Sequence, residues 1–263
     1  MRIPTDLIPG YVNRPGIEFF EKKFFLTAGE TDSRGRMPIK LIAARSIEIA
    51  TDHSNVLGVG YADLAEINLR WVLVRITVEV ERYPEINEPY SLCTWIEGAS
   101  RFFTNRSFLM ADAEGQTLAR INTIWAAIDS DSREKESLDR LPKDRLPVTS
   151  PLFSISRLPT PSISPDVAAE TYNHNFGVTD IDFNRHVNAL SYLAAALNTY
   201  GLGFYDTHTI RRLDIAFEHE CYYNHPVEIL VARGCDDSGD DIVEIWNKGE
   251  NRAAALRFRW VAD

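Results

Sequence analysis

Cysteine is scarce in this sequence. The 263 residues include three, Cys93, Cys221 and Cys235, and this odd, widely spaced set fits neither a disulfide framework nor a metal-binding motif. We therefore expect reduced thiols in a cytoplasmic protein.

Long apolar runs and an excess of positive charge are missing as well. No stretch approaches the roughly 18 apolar residues that a membrane-spanning helix needs. The first residues, Met1 to Asp6, do not form the apolar segment of a signal peptide. The formal net charge is −10, which excludes nucleic acid and an anionic membrane as default partners. A content of 44% hydrophobic and 25% charged residues is typical of a globular protein with a sizeable core.

The sequence also lacks the common cofactor and metal motifs. It contains no Walker motif, no His-Glu-x-x-His and no Cys-x-x-Cys. Gly58-Val59-Gly60 and Gly201-Leu202-Gly203 do not have the preceding strand and following helix of a dinucleotide site, so they are typical of helix ends and turns. We predict neither an organic cofactor nor a metal.

Proline, by contrast, is concentrated between Leu141 and Asp166, near the middle of the chain. Proline removes a backbone donor and disfavours helix at the preceding residue, so this stretch is predicted to be an extended linker. Its prolines are Pro142, Pro147, Pro151, Pro159, Pro161 and Pro165. We therefore predict an N-terminal domain at residues 1–140, a linker at 141–166 and a C-terminal domain at 167–263.

The two halves share one pattern of predicted elements. Each has an apolar helix, at Ile39–Thr51 and at Leu190–Leu197, followed by Gly-x-Gly and then a strand with alternating apolar residues. The alternating residues are Ile76, Val78 and Val80 in the first half and Leu213, Ile215 and Phe217 in the second. Further strands are predicted at Arg106–Ala111, Thr117–Ile128, Asp241–Trp246 and Ala253–Val261. This pattern predicts an α+β fold of two hot-dog repeats, each with a sheet wrapped around a long helix.

The most informative motif lies just before the second helix. Asp182, Asn184 and His186 occupy alternating positions there. In an extended segment alternate side chains share one side, so we expect them to converge. The first N–H groups of the helix would aim at the same place, which suits negative charge developing on a carbonyl oxygen. The motif indicates acyl transfer or hydrolysis, although Asp and Asn are also common cap and turn residues.

The first half lacks this chemistry. Its corresponding residues are Asp32, Arg34 and Arg36, without a histidine, so we predict one active site per chain. The remaining histidines, His53, His174, His208, His219 and His225, are expected at the surface or in loops.

A second polar group, Glu218-His219-Glu220-Cys221, follows on the next predicted strand. Simple alternation places Cys221 with the apolar face of that strand and Glu220 opposite. Both therefore reach one site only if a bulge or strong twist intervenes. Which of the two faces the site is open from these residues alone, and a lone cysteine is typically a small buried apolar residue.

Taken together, these residues resemble the acyl-acyl carrier protein (acyl-ACP) thioesterases of plants and bacteria. That family carries Asp-x-Asn-x-His-Val-Asn-Asn before its second helix and Glu-Cys after it, which match Asp182–Asn188 and Glu220-Cys221. The resemblance extends from residue 15 to residue 263. Its first-half matches are Trp71-Val72-Leu73-Val74-Arg75, Arg82-Tyr83-Pro84, Thr94-Trp95, Asn105-Arg106, Asp112-Ala113-Glu114-Gly115 and Trp125-Ala126-Ala127-Ile128-Asp129.

The resemblance implies hydrolysis of the thioester between a fatty acyl chain and the phosphopantetheine arm of acyl carrier protein. It implies a polar cluster around the thioester carbonyl and a water molecule, formed by Asp182, Asn184, His186 and Glu220. In this cluster His186, or Glu220 as a competing or assisting base, draws a proton from the water. Cys221 as a thiolate nucleophile ranks second, because water can attack a thioester directly.

The resemblance also implies an acyl-chain pocket and a basic surface that docks the acidic carrier protein. Pocket candidates, mostly in the first repeat, are Ile42, Ile47, Ile49, Val78 and Trp95. Docking candidates are Arg101, Arg106, Arg185, Arg211 and Arg212. The alternative functions are an acyl-CoA thioesterase of the same fold and a catalytically silent acyl-binding protein. Exposed sheet edges also allow a homodimer.

Overall fold

The computed structural model describes residues 18–142, 145–236 and 238–263, which form two compact units. The first unit contains the described residues up to Val74 together with Glu81–Ile155, and the second contains Arg75–Val80 and Ser156–Asp263. Residues 1–17 of the predicted first domain, where a signal peptide was not expected, lie outside the described residues, as do Lys143 and Asp144 of the predicted linker.

The first unit is an antiparallel sheet packed against a long helix. Helix α1 packs on strands β1 and β3 and buries Ile42, Ile49 and Leu57. The strand order is β1-β3-β4-β5, followed by the first half of β2. The bounds are β1 Phe20–Phe25, α1 Ile39–Leu57, α2 Tyr61–Ala65, β2 Leu69–Val80, β3 Pro89–Ala99, β4 Phe103–Asp112 and β5 Thr117–Asp129. The predicted first helix is confirmed and extends to Leu57, where Gly58 ends it in the left-handed conformation with φ 71°.

The second unit repeats this arrangement with a shorter helix. Its strand order is the second half of β2, then β7-β10-β9-β8-β6, and helix α3 packs against β9 and β10. The bounds are β6 Glu170–Asn175, α3 Ala189–Leu197, α4 Leu202–Tyr205, β7 His208–Phe217, β8 Pro226–Ala232, β9 Asp241–Asn247 and β10 Arg252–Ala262. The predicted second helix and the predicted strands of this half are confirmed to within a few residues at their ends.

The second part of the proline-rich stretch is held along the sheet of the second unit by arginine side chains. Three backbone carbonyls of this segment accept hydrogen bonds, at 2.6–3.3 Å, from arginines on the strands. The pairs are Ser156 with Arg212, Pro159 with Arg257 and Pro161 with Arg252. Because this segment is not part of a strand, the arginine guanidinium groups act as the hydrogen-bond donors to these carbonyls.

Candidate active site

Asp182, Asn184 and His186 lie in a tight turn and not in an extended segment, so the predicted alternation of their side chains is wrong. The Asp182 N–H donates to the His186 carbonyl at 2.8 Å, and a β-bridge between Ile181 and Val187 closes the turn. Arg185 adopts the left-handed conformation with φ 67°. Asp and Asn favour such turns because their short side chains bond to nearby backbone groups, which is the alternative that the sequence left open.

The carboxylate of Asp182 holds this turn together. Its Oδ1 accepts the N–H of Asn184 at 2.8 Å and the N–H of His186 at 3.2 Å. Its Oδ2 lies 3.5 Å from the Nδ2 of Asn184. Since the carboxylate is engaged with the backbone, Asp182 positions His186 and Asn184 within the turn.

The imidazole of His186 is paired with Glu220. The His186 Nε2 and Glu220 Oε2 atoms are 3.0 Å apart, and the two side chains are 18% and 37% exposed. A carboxylate can only accept a hydrogen bond, so Nε2 carries a proton, and a neutral ring then has its lone pair on Nδ1. The ring of Tyr222 lies beside the imidazole, with ring centres 5.1 Å apart. The pair is therefore an oriented acid–base group that remains accessible to solvent.

Glu220 and Cys221 follow strand β7 and are not part of it. The strand ends at Phe217, so the predicted strand at these residues, and the alternation drawn from it, is wrong. The Cys221 carbonyl accepts the N–H of Val187 at 2.9 Å, which joins this segment to the turn that carries His186. Because the chain has left the sheet, Glu220 can face His186 while the next side chain is buried.

The thiol of Cys221 is buried and hydrogen-bonded. Its side chain has no exposed surface, and its Sγ donates to Oδ1 of Asn247 at 3.0 Å. Burial raises the pKa of the Cys221 thiol, so the thiolate form is disfavoured. This setting is typical of a packed structural cysteine and counts against a nucleophile.

Two residues that support the site were missed by the sequence interpretation. The hydroxyl of Tyr192, on α3, accepts the N–H of Cys221 at 2.9 Å. The Nδ2 of Asn247, at the end of β9, donates to the Glu220 carbonyl at 3.2 Å. The apolar face predicted for this helix, Leu190, Leu193, Ala194 and Leu197, lies on the side away from Tyr192, so periodicity did not mark this residue. No motif marks Asn247, which reaches the site only through the pairing of the strands.

Two N–H groups at the start of α3, those of Leu190 and Ser191, are already paired, so for these two the prediction that they aim at the site is wrong. The side chain of Asn188 caps the helix by accepting the Leu190 N–H at 2.8 Å. The N–H of Asn188 donates to Asp180 at 2.7 Å, and the N–H of Ser191 donates to Asn188 at 2.9 Å. These N–H groups are therefore already paired within the turn and the cap.

The first unit contains the same turn at a distance of 150 residues. Strands β1 and β6 begin at Phe20 and Glu170, 150 positions apart. Oδ1 of Asp32 accepts the N–H of Arg34 at 2.9 Å and the N–H of Arg36 at 3.0 Å. Gly35 is left-handed with φ 71°, as Arg185 is in the second unit. We call these the twin turn (residues 27–37) and the catalytic turn (residues 177–187).

The contact between each turn and the segment after the following strand is also repeated. In the twin turn, the N–H of Met37 donates to the Pro84 carbonyl at 2.8 Å. In the catalytic turn, Val187 donates to Cys221 at 2.9 Å. This match aligns Pro84 with Cys221. The residues that precede them, Tyr83 and Glu220, are therefore aligned as well.

This alignment shows what the first unit carries in place of an acid–base pair. Tyr83 stands at the position of Glu220, and Arg36 stands at the position of His186. The guanidinium of Arg36 lies over the Tyr83 ring, 5.4 Å from its centre, as a cation–π pair. The first unit therefore keeps the turn with an arginine and a tyrosine at the positions of His186 and Glu220, and neither side chain exchanges its proton readily at neutral pH.

Two of the predicted docking residues are not surface charges. Arg212 is buried and pairs with Asp214 at 2.7 Å, and Arg106 is buried with its Nη1 2.7 Å from Nδ1 of His53. The expectation that His53 lies at the surface is also wrong, because it is fully buried in α1. Among the other candidates, Arg101 and Arg185 are exposed and Arg211 is half-buried.

The predicted pocket residues lie mostly in the interior. Ile42, Ile49, Val78 and Trp95 are fully buried, and Ile47 is half-buried. Residues that line an acyl-chain pocket and residues of an ordinary core are both buried. The role of these five residues in chain-length selection therefore stays a prediction.

Comparisons with known families match both halves of the chain. Residues 18–144 match the sequence model of the acyl-ACP thioesterase N-terminal domain. Residues 164–260 match the sequence model of the acyl-ACP thioesterase C-terminal domain.

Curated plant proteins show the same likeness at low identity. The chain is similar to oleoyl-acyl carrier protein thioesterase 2, chloroplastic, of Arabidopsis thaliana, with 23% identity over 227 residues that cover 80% of this chain and 62% of the relative. It is similar to the palmitoyl-acyl carrier protein thioesterase, chloroplastic, of the same plant, with 24% identity, covering 82% of this chain and 56% of the relative. The chain thus spans less than two thirds of the length of these two relatives.

Solved structures share the fold along nearly the whole chain. An acyl-ACP thioesterase from Bacteroides thetaiotaomicron is similar with a TM-score of 0.81 at 24% identity, covering 93% of this chain and 98% of that one. The 12:0-ACP thioesterase from Umbellularia californica is similar with a TM-score of 0.82 at 19% identity and the same coverage. These likenesses confirm the predicted α+β fold of tandem hot-dog repeats.

Proposed function

The chain belongs to the acyl-ACP thioesterase family, and from this premise we propose that it hydrolyses the thioester linking a fatty acyl chain to the phosphopantetheine arm of acyl carrier protein. The products are a free fatty acid and the carrier protein with a free thiol, and the reaction ends chain elongation in fatty acid synthesis. The observation that carries the proposal is the solvent-accessible pair formed by His186, in the catalytic turn, and Glu220, whose positions are taken by Arg36 and Tyr83 in the first unit.

His186 is the proposed general base. With Nε2–H donated to Glu220 at 3.0 Å, the lone pair of Nδ1 can take a proton from a water molecule that attacks the thioester carbonyl carbon. The C–O bond forms, the carbonyl oxygen becomes negative, and the C–S bond then breaks. The imidazolium returns its proton to the departing sulfur, so the histidine ends the cycle neutral.

Glu220 is proposed to orient the imidazole and to stabilise its positive charge after proton transfer. Of the competing and assisting roles, the 3.0 Å contact supports the assisting one, because the carboxylate is already bonded to the histidine. Such a carboxylate fixes the tautomer and orientation of the ring, as in hydrolases that use a catalytic triad.

Asn184 is the proposed polar contact for the thioester carbonyl or the attacking water. The Asp182 carboxylate holds its backbone N–H at 2.8 Å, which places the side chain in the same turn as His186. Removing one such donor typically costs about 2.7–4 kcal/mol of transition-state stabilisation. Asp182 acts through the turn as a positioning residue.

Catalysis by a Cys221 thiolate is the weaker mechanism. It requires an ionised sulfur, whereas burial and the bond to Asn247 favour the neutral thiol. Hydrolysis by water needs no thiolate and is consistent with the buried position of Cys221.

The carrier protein is acidic, so its docking on a chain with a net charge of −10 needs local basic residues. Arg101, Arg185 and Arg211 are the proposed docking residues. No helix among the described residues has the length and apolar character of a membrane span. A cytoplasmic location and a homodimer stay predictions.

Hydrolysis of matched substrates tests this function. We expect the wild-type protein to release thiol from acyl-ACP substrates of C8 to C18 and to prefer them to the corresponding acyl-CoA esters. A preference for acyl-CoA would instead identify an acyl-CoA thioesterase of the same fold. Bound acyl chain without turnover on either series would identify a silent acyl-binding protein.

A further inference from the structure

Exposed apolar side chains lie in the catalytic turn and in the segment that contains Tyr222 and Tyr223. Val178 is 76% exposed, Phe183 72%, Tyr223 59% and Tyr222 44%. We call these four residues the apolar rim. Clustered exposed apolar residues are uncommon on a protein surface without a binding role.

The rim residues lie in two segments that meet at His186. Val178 and Phe183 belong to the catalytic turn, and the ring of Tyr222 lies 5.1 Å from the His186 ring. The segments are joined where the N–H of Asn224 donates to the Phe176 carbonyl at 3.0 Å. Tyr222 therefore lies beside His186, Tyr223 is the next residue in its segment, and Val178 and Phe183 belong to the turn that carries the histidine.

The twin turn shows that the fold does not require these apolar side chains. At the positions of Val178 and Phe183, 150 residues earlier, it carries Ala28 and Ser33, and both are exposed. The twin turn has the same backbone hydrogen bonds around its aspartate, Asp32. The large apolar side chains therefore accompany the histidine and are not needed to form the turn.

We propose that the apolar rim binds the pantetheine part of the substrate's carrier arm. This inference rests on the proposed function. With the thioester at His186, the acyl chain needs an enclosed apolar surface, and the arm must leave through the solvent-accessible side. An arm of methylene, dimethyl and amide groups matches exposed apolar side chains that include two tyrosines, which offer both an apolar ring and a hydroxyl.

The test uses the double variant Val178→Ala, Phe183→Ser, which introduces the residue types that the twin turn has at these positions. The substrates carry one acyl group on acyl carrier protein, on CoA and on N-acetylcysteamine, which lacks most of the arm. We expect kcat/KM to fall roughly tenfold for the carrier-protein and CoA substrates, mainly through KM, since a large apolar contact is lost. The N-acetylcysteamine thioester should be hydrolysed at the wild-type rate.

Leu202→Ala is the matched control, because Leu202 is 63% exposed on α4 of the same unit. It should leave all three reactions unchanged. A loss confined to the carrier-protein substrate would mean that the rim contacts the protein and would overturn the inference. An equal loss on all three substrates, or no loss, would overturn it too.

Failure of the proposed function gives a different result, since the wild-type protein would then hydrolyse none of the three substrates. Equilibrium binding of acyl-CoA to the wild type and the double variant decides the inference in that case. Weaker binding by the variant would support the arm contact, and equal affinity would overturn it.

Discussion

At the scale of single residues, the carboxylates of Asp182 and Glu220, both near His186, have different roles. Asp182 is engaged with the backbone of its own turn, whereas Glu220 bonds to the imidazole at 3.0 Å. A carboxylate that accepts backbone N–H groups fixes a loop, and one that accepts an imidazole N–H fixes a tautomer. The consequences of losing each should therefore differ.

Replacing Glu220 with glutamine should lower kcat by a factor on the order of 10² or more. The amide is isosteric but uncharged, so it stabilises the imidazolium poorly and can turn its NH₂ group toward the ring. Steady-state hydrolysis of an acyl-ACP substrate measures this. Glu218→Gln is the control, because Glu218 pairs with Arg252 at 2.7 Å. Equal kcat values for the two variants would show that Glu220 does not assist the histidine.

Replacing Cys221 with serine should leave kcat/KM within about threefold of wild type, because a buried neutral thiol takes no part in water attack. Serine keeps a donor for Asn247, to which the sulfur now donates at 3.0 Å. The same hydrolysis assay measures the effect. A loss of a hundredfold or more, with the fold intact by circular dichroism, would restore the thiolate mechanism.

The reactivity of the thiol should follow its raised pKa. A thiol with a raised pKa stays protonated at pH values where an exposed thiol is already ionised. Alkylation of Cys221 by iodoacetamide should therefore be slow at pH 7.5. Its rate should increase only at a more alkaline pH than that of a small reference thiol. Mass spectrometry of the Cys221 peptide follows the modification, and rapid labelling at pH 7.5 would contradict the account.

At the scale of elements, comparison of the two turns distinguishes the residues that form the turn from the residue that can transfer a proton. Both have an aspartate that accepts two backbone N–H groups, at 2.8–3.2 Å around Asp182 and 2.9–3.0 Å around Asp32. Only the catalytic turn has a histidine. The aspartate therefore belongs to the architecture of the repeat, and its effect on catalysis depends on what the turn carries.

Substituting alanine for Asp182 or Asp32 should lower the melting temperature by similar amounts. Each variant removes the carboxylate that accepts two backbone N–H groups, and a lost hydrogen bond of this kind costs about 1–3 kcal/mol for each group that stays buried. Only Asp182→Ala should also lower kcat, by roughly tenfold or more, because the displaced turn moves His186 away from its working geometry. Thermal unfolding and steady-state kinetics test the pair. A similar loss of kcat in Asp32→Ala would remove the distinction between the turns.

The sequence was sufficient to predict the repeated elements, because helix and strand periodicity repeats in both halves. The motif Asp182, Asn184 and His186 could be read from the sequence, but the turn geometry of these residues could not. Asp and Asn favour turns because their side chains bond to nearby backbone groups, but the alternating polar residues of this motif also fitted an extended segment. Contacts made by strand pairing, such as those of Asn247, leave no local signal.

At the scale of the whole molecule, some arginines stabilise the fold and others are exposed and available to bind a partner. Some arginines are committed to ion pairs and to the carbonyls of the proline-rich segment, including Arg212, Arg252 and Arg257. These residues are unavailable for an acidic partner. A net charge of −10 also repels such a partner at long range, so docking must rely on exposed arginines.

Docking through exposed arginines should make KM for acyl-ACP rise with salt. At about 0.5 M NaCl the Debye length falls to a few ångströms, so attraction between surface charges is largely screened. KM for an acyl-CoA substrate should rise less, because it carries fewer charges. Arg185→Ala should reduce the salt dependence, whereas the same change at buried Arg212 should lower stability. Salt-independent KM values for acyl-ACP would contradict electrostatic docking.

The most direct test of the account is the turnover of acyl-ACP by His186→Ala beside Arg36→Ala, its counterpart in the twin turn. We predict that His186→Ala lowers kcat by a factor of about 10²–10⁴, the usual contribution of a general base. Arg36→Ala should retain activity close to that of the wild type. If His186→Ala turns over within a few-fold of the wild type, the assignment of the catalytic base to His186 is wrong.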